Sequence, residues 1–118
     1  MQRTIKHYIG VDIAKTNFVA DLPSGSQTYT QQPDDHARFI KALPENAHVV
    51  CEATGGYEQS LLASLYKAGV TCSLVMPKRV RDYARSQGIL AKNDRIDAKV
   101  LTRFILRRRR LTRFTQRG

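Results

Sequence analysis

The order of short apolar segments constrains the fold of this chain more than any other feature. Three segments of strand character come first, separated by turn-forming residues at 14–17 and 23–26. Two further apolar segments then alternate with amphipathic ones. The pattern predicts β-β-β-α-β-α-β-α-α, with strands at 8–13, 18–22, 27–31, 48–52 and 71–76 and helices from about 33 to 43, 57 to 67, 78 to 86 and 94 to 110.

This order predicts an α/β fold. The first three strands, joined by tight turns, should form an antiparallel meander, whereas strands joined through helices should be parallel. We therefore expect a mixed five-stranded sheet with helices on both faces. The helix positions expected to face the core are Phe39, Ile40, Leu43, Leu61, Leu62, Leu65, Tyr66, Ile96, Val100, Leu101, Phe104 and Ile105.

Two of the predicted strands carry a carboxylate near their carboxyl end. Asp12 lies near the end of the first strand, and Glu52 ends the fourth. A carboxylate in a mostly apolar strand is costly unless it is paired or coordinated. If the two strands are parallel neighbours, both acids lie at the same edge of the sheet. Asp94 and Asp97, three residues apart at the predicted start of the last helix, share one helical face and could join them.

These four acids suggest a metal site. Mg²⁺ and Mn²⁺ prefer carboxylate oxygens, and two ions about 3.5–4 Å apart can clamp the attacking and leaving oxygens in phosphodiester cleavage. Each acid also has a structural explanation. Asp12 could cap the following turn, Glu52 could pair with Lys15 or Arg95, and Asp94 or Asn93 could cap the last helix. Taken together, the four acids favour the metal site.

The charge distribution indicates a polyanionic partner. The net charge is +10, and residues 78–118 hold fourteen Lys or Arg and three Asp, whereas residues 1–77 hold six Lys or Arg and seven Asp or Glu. This asymmetry favours nucleic acid, although a solvated basic tail has the same composition. The candidate nucleic-acid-binding residues are Lys15, Lys78, Arg79, Arg81, Lys92, Arg95, Arg107, Arg108, Arg109 and Arg110.

Composition also suggests the compartment. The sequence contains no apolar run of about 18 residues, so we expect no membrane span. The N-terminus lacks the apolar segment of a secretory signal, which predicts a cytoplasmic location. Cys51 and Cys72 fall in predicted strands and are interpreted as buried, reduced thiols.

Four motifs carry a family resemblance. They are YIGVDIAK at 8–15, CEATGGYE at 51–58, PKRVRDYA at 77–84 and KNDRIDA at 92–98. In this order they resemble the N-terminal domain of the DEDD transposases, which are insertion-sequence recombinases related to the pilin-gene inverting proteins. The resemblance extends from Tyr8 to about Phe104.

The resemblance implies a ribonuclease H-like fold of the RuvC type. It also implies that Asp12, Glu52, Asp94 and Asp97 form an acidic tetrad with Mg²⁺ or Mn²⁺ as cofactor. The expected partner is DNA, cleaved and exchanged during transposition, together with a structured guide RNA; a homo-oligomer is also compatible with the resemblance. Asn93 stands where the family often has Thr.

Family members continue into a second domain that carries a serine thought to act as a nucleophile. We therefore expect residues 1–106 to be the catalytic domain and residues 107–118 to be a basic tail that begins a downstream region. Activity of this chain alone stays open, and a non-catalytic nucleic-acid-binding or assembly module is the alternative. A third hypothesis is an actin-like nucleotide-binding fold, because residues 10–16 faintly resemble a phosphate loop.

Overall fold

A computed structural model describes residues 7–88 and 97–112, with side chains described as far as residue 106 in the last helix. These residues form, in chain order, β1 (His7–Ile13), β2 (Asn17–Leu22), β3 (Gly25–Thr30), α1 (Pro33–Ala42), β4 (Ala47–Glu52), α2 (Gln59–Lys67), β5 (Thr71–Val75), α3 (Pro77–Ser86) and α4 (Ala98–Thr112).

The strands form one mixed sheet in the order β3-β2-β1-β4-β5. β2 is antiparallel to both β1 and β3, while β4 is parallel to both β1 and β5. The predicted fold class is therefore confirmed, including the antiparallel meander at the start of the chain. β1 occupies the centre of the sheet and pairs with β2 on one edge and β4 on the other.

Side-chain alternation along the strands divides the core into two layers. On one face, Ile9, Val11 and Ile13 of β1 pack with buried residues of α1 and α2 such as Phe39 and Leu61. On the other face, the buried cluster joins strands β4 and β5 to helices α3 and α4; its members are Val50, Val75, Val80, Ala84, Val100, Leu101 and Phe104. Each face of the sheet thus has its own pair of helices.

Most predicted boundaries lie within two residues of the observed ones. One core assignment is wrong: Tyr66 is 85% exposed, because the buried stripe of α2 is formed by Leu61 and Leu65. Another difference concerns α4, which begins at Ala98 rather than near Asp94. Ile96, predicted to lie in the core, is outside the described residues. Within the described part of the chain, no helix is long and apolar enough to cross a membrane.

Helix α4 lies unusually close to β1 at Gly10. A methyl group built on Gly10 would lie 2.6 Å from Oγ1 and 2.8 Å from the backbone nitrogen of Thr102, and closer still to the carbonyl oxygen of Ala98. Real side chains essentially never approach backbone atoms this closely. Glycine is therefore required at this position for α4 to pack against the sheet as it does.

We expect Gly10→Ala to lower the free energy of unfolding by about 3 kcal/mol, because the added methyl group must displace the backbone of α4. Urea denaturation of the two proteins would measure the difference. In a strand without such a contact, the same change would stabilise the fold by about 0.5–1 kcal/mol, since alanine loses less backbone entropy. An equal or higher stability of the variant would contradict the close packing.

Candidate functional site

β1 and β4 bring two of the predicted site acids to neighbouring positions. The parallel register pairs Val11 with Cys51, and the next residues along the two strands are Asp12 and Glu52. Neighbouring strands lie about 4.8 Å apart. Val11 and Cys51 belong to the core beneath α1 and α2, so alternation directs both acids to the face covered by α4. Asp12 and Glu52 therefore lie side by side, each half-buried.

Asp97 lies immediately before α4 and is exposed. Its Oδ1 atom accepts a hydrogen bond from the backbone N–H of Val100 at 2.9 Å, and its backbone oxygen accepts one from Leu101 at 3.1 Å. This is the geometry of an N-cap, which explains why the helix begins at Ala98. The prediction that Asp97 lies within the helix is wrong. The cap uses only the Oδ1 atom of Asp97, so the second carboxylate oxygen is not needed for capping.

The fourth acid, Asp94, lies outside the described residues, as do Lys92 and Arg95. Among residues 7–88 and 97–112, no group of three or more His, Cys, Asp or Glu side chains is placed to hold a metal ion. The described residues thus supply an adjacent pair, Asp12 and Glu52, with Asp97 at the N-cap of the helix that covers the same face. In its donor chemistry this set fits a hard divalent cation, and one oxygen of Glu52, Oε2, is shielded from solvent.

The turns that follow the two acidic strands are joined by one side chain. The amide nitrogen of Gln31 donates to the carbonyl oxygens of Ala14, beyond β1, and Tyr57, beyond β4, at 3.2 and 3.3 Å. The Gln31 Oε1 atom lies 2.8 Å from Nε2 of His36, whose Nδ1 is 2.9 Å from the hydroxyl of Ser64. An amide oxygen only accepts, so Nε2 carries the proton. Burial lowers the pKa of the His36 imidazole, which favours this neutral form.

A buried carboxylate shapes the loop beyond β4. Glu58 is 4% exposed and accepts hydrogen bonds from the hydroxyl and the N–H of Thr54 and from the N–H of Gly56. These bonds, with the Thr54 hydroxyl contributing most, lower the pKa of Glu58 to about 2. Gly55 and Gly56 have φ angles of 87° and 138°, which glycine adopts readily, so the two residues form a tight turn in this loop. Sequence reasoning missed both Glu58 and Gln31 as organising residues, because their partners depend on the folded loops.

The two cysteines are free. Cys51 lies in the core, where burial raises the pKa of its thiol to about 12. Cys72 is half-buried, and burial raises its pKa as well. Both side chains therefore stay protonated at neutral pH, which does not suit a nucleophile.

Several of the predicted nucleic-acid-binding residues lie at the same edge as the acids. Val75 pairs with Glu52 in the sheet, and α3 begins two residues later with Lys78 and Arg79 in its first turn. Lys78 forms an ion pair with Asp82 at 2.9 Å. The side chains of Lys15, Lys78, Arg79 and Arg81 are all at least partly exposed. Residues 107–110 continue α4, and their side chains lie outside the described part of the chain.

Comparison with known proteins gives the same relationships as the motifs. The family model described as DEDD_Tnp_IS110, Transposase, matches residues 9–118. The pilin gene-inverting proteins of Moraxella lacunata and Moraxella bovis are each 33% identical over 109 residues, a region that covers 84% of this chain and 34% of theirs. The chain thus spans about a third of the length of these curated relatives.

Among solved structures, T. thermophilus RuvC in complex with Holliday junction substrate is similar to this chain. The TM-score is 0.56 with 16% sequence identity, and the match covers 86% of this chain and 95% of that one. At this identity the likeness concerns the fold, and the expected RuvC-like architecture is confirmed.

We expect Glu58→Gln to reduce stability at pH 7 by about 2 kcal/mol, because a neutral amide replaces a carboxylate that accepts several hydrogen bonds. The native pKa of about 2 lies below the usual 4.5. The stabilisation is therefore complete above pH 4.5 and is lost as the pH falls through 2. Thermal unfolding of both proteins across this range should show the gap narrowing on acidification. A difference in stability that stays the same at every pH would contradict the lowered pKa of Glu58.

Proposed function

The chain belongs to the DEDD_Tnp_IS110 transposase family, and from this premise we propose that it is the metal-dependent catalytic domain of a transposase that cleaves and exchanges DNA strands. The observation that carries the proposal is the placement of Asp12 and Glu52 on adjacent parallel strands, facing the helix that follows Asp97. The Moraxella relatives are named for inverting a pilin gene, which is also a rearrangement of DNA.

In this proposal Asp12, Glu52, Asp94 and Asp97 hold Mg²⁺ or Mn²⁺ and are the catalytic residues. The cation would act as a Lewis acid that stabilises the negative charge on the reacting phosphate oxygens. The protein's own contribution is rigidity. Two ligands extend from the centre of a sheet, whose strands are held by neighbours on both sides, and such positions hold side chains more precisely than loops do.

The basic residues would bind the phosphate backbone. Lys78, Arg79 and Arg81 lie at the surface of a helix that begins at the sheet edge where β4 ends with Glu52. DNA held there would pass close to the acids. Lys15, which is exposed in the turn after β1, would contribute to the same contact. We propose the same role for Lys92, Arg95 and residues 107–110. We also propose that these basic residues bind a structured RNA as a second polyanion.

Residues 1–106 would form the catalytic domain, and residues 107–118 would lead toward the remaining part of a transposase. Residues 107–112 continue α4, so this basic segment begins as a helical extension of the domain. The chain spans about a third of the length of its curated relatives. Complete strand exchange would therefore need functions from the rest of such a protein.

A non-catalytic nucleic-acid-binding module is the second candidate. It is favoured by one observation: Lys78, Arg79 and Arg81 are exposed on α3, so a basic surface exists whether or not the acids bind a cation. The two candidates differ in whether the chain binds divalent cations, and this property can be measured without a DNA substrate.

We expect wild-type protein to bind Mn²⁺ in isothermal titration calorimetry. Asp12→Asn and Glu52→Gln should each weaken binding at least about tenfold, since a charged ligand becomes a neutral amide. Glu45→Gln is the matched control, because Glu45 lies in the segment before β4, at the opposite end of the strand from Glu52. Equal affinities in all four proteins would exclude the proposed ligands and favour the binding module.

We expect the combined change Lys78→Gln, Arg79→Gln and Arg81→Gln to reduce the salt dependence of DNA binding. Removing one interaction with a phosphate should lower the slope of log K against log salt by about 0.9 for duplex DNA, so the triple change should lower it by about 2–3. Fluorescence anisotropy with a labelled branched duplex at several salt concentrations would measure it. Lys41→Gln with Lys67→Gln, in the last turns of α1 and α2, is the control. A slope unchanged by the triple substitution would place the DNA elsewhere.

A further inference from the structure

The hydroxyl of Thr102 joins α4 to the central strand at one point. It accepts a hydrogen bond from the backbone N–H of Gly10 at 2.8 Å and lies 3.2 Å from the carbonyl oxygen of Ala98, to which it donates. Gly10 and Thr102 are 92 residues apart in the sequence. Ala98 is the first residue of α4 and directly follows Asp97. One side chain thus connects the backbone of β1 to the start of the helix.

The backbone of β1 explains why this hydroxyl is needed. The pairing of β1 with β2 extends from Val11 to Ile13, so Gly10 lies one residue before it. Gly10 is buried, and a buried N–H group requires a hydrogen-bond partner. The Thr102 hydroxyl is that partner. A side chain of the same shape without a hydroxyl would leave this donor unsatisfied and would favour a shift of the helix.

Gly10 and Thr102 determine two different aspects of where α4 lies: its distance from the sheet and its position along β1. The missing side chain of Gly10 sets how closely the helix approaches the sheet, because any Cβ there would collide with Ala98 and Thr102. The hydrogen bond to Thr102 sets the position of the helix along the strand. A third contact, the 3.1 Å ion pair of Lys99 with Asp21, joins the same turn of α4 to β2.

This attachment lies next to the candidate site. Gly10 precedes Asp12 by two residues on the same face of β1, while Asp97 caps the helix through Val100. We propose that Thr102 is a positioning residue, which holds Asp97 in place relative to Asp12 and Glu52 by fixing α4 on β1. The proposal rests on the proposed metal-binding function. Thr102 acts through Asp97 and does not itself contact the cation.

The test compares Thr102→Val, which keeps the shape and removes the hydroxyl, with Thr102→Ser, which keeps the hydroxyl. In titrations with Mn²⁺ we expect the valine variant to bind about tenfold more weakly, as is typical when the support of a metal ligand is removed, and the serine variant to bind within about twofold of wild type. Thr102→Ala carries the same expectation as valine should the valine variant not fold. Equal binding by wild type and the variants that lack the hydroxyl would overturn the proposal.

Two controls separate positioning from a general loss of stability. Leu65→Ala removes a fully buried side chain in the other layer of the core, so it should lower stability in urea and leave Mn²⁺ affinity unchanged. If Leu65→Ala lost as much Mn²⁺ affinity as Thr102→Val, the effect of Thr102 would be one of general stability, and the positioning role would be rejected. In an Asp97→Asn background, Thr102→Val should cause no further loss of affinity, because both changes remove the same contribution. Additive losses would overturn the proposal.

Mn²⁺ binding by the wild type distinguishes failure of the proposed function from failure of the proposed role of Thr102. If wild type does not bind Mn²⁺, the proposed function fails and this inference fails with it. If wild type binds Mn²⁺ and Asp12→Asn does not, while Thr102→Val binds normally, only the role of Thr102 is rejected.

Discussion

The parallel pairing of β1 with β4 is the constraint on which the site depends. It aligns two strands in which a carboxylate follows a run of apolar residues, and the register from His7 opposite Ala47 to Val11 opposite Cys51 brings Asp12 and Glu52 level. A displacement of this register by one residue would send one acid into the core under α1 and α2. The core therefore helps to specify the position of the acids, since this register places Val11 and Cys51 side by side in the buried layer.

The sequence predicted the sheet well because its signals are local. Apolar runs, turn residues, Pro33 at a helix start and Pro77 after a strand mark most of the boundaries between elements. The start of α4 was predicted less well. Asn93, Asp94 and Asp97 are all good capping residues, so local chemistry could not decide among them, and in the structure Asp97 is the cap. The exposure of Tyr66 had a similar cause, because α2 has more apolar positions than its buried stripe accommodates.

The contacts that organise the site were beyond the reach of pattern analysis. Thr102 and Gly10 meet only once the whole sheet has formed, and Gln31 joins two turns that are distant in sequence. Neither Thr nor Gln carries a distinctive local signal, and Gly10 stands out in the sequence only as part of a motif. The identity of the candidate ligands could be inferred from residue type, whereas the side chains that hold them in place depend on the three-dimensional fold.

The alternation of β1 has a consequence for how such a domain can change over time. Its odd-numbered residues Ile9, Val11 and Ile13 pack in one apolar layer. Gly10 and Asp12 lie on the opposite face, which α4 covers. A substitution in the apolar set acts on one layer and leaves Gly10 and Asp12 on the opposite face. Insertion or deletion of one codon would exchange the two sets at once, so the length of this strand should be far more strictly preserved than its composition.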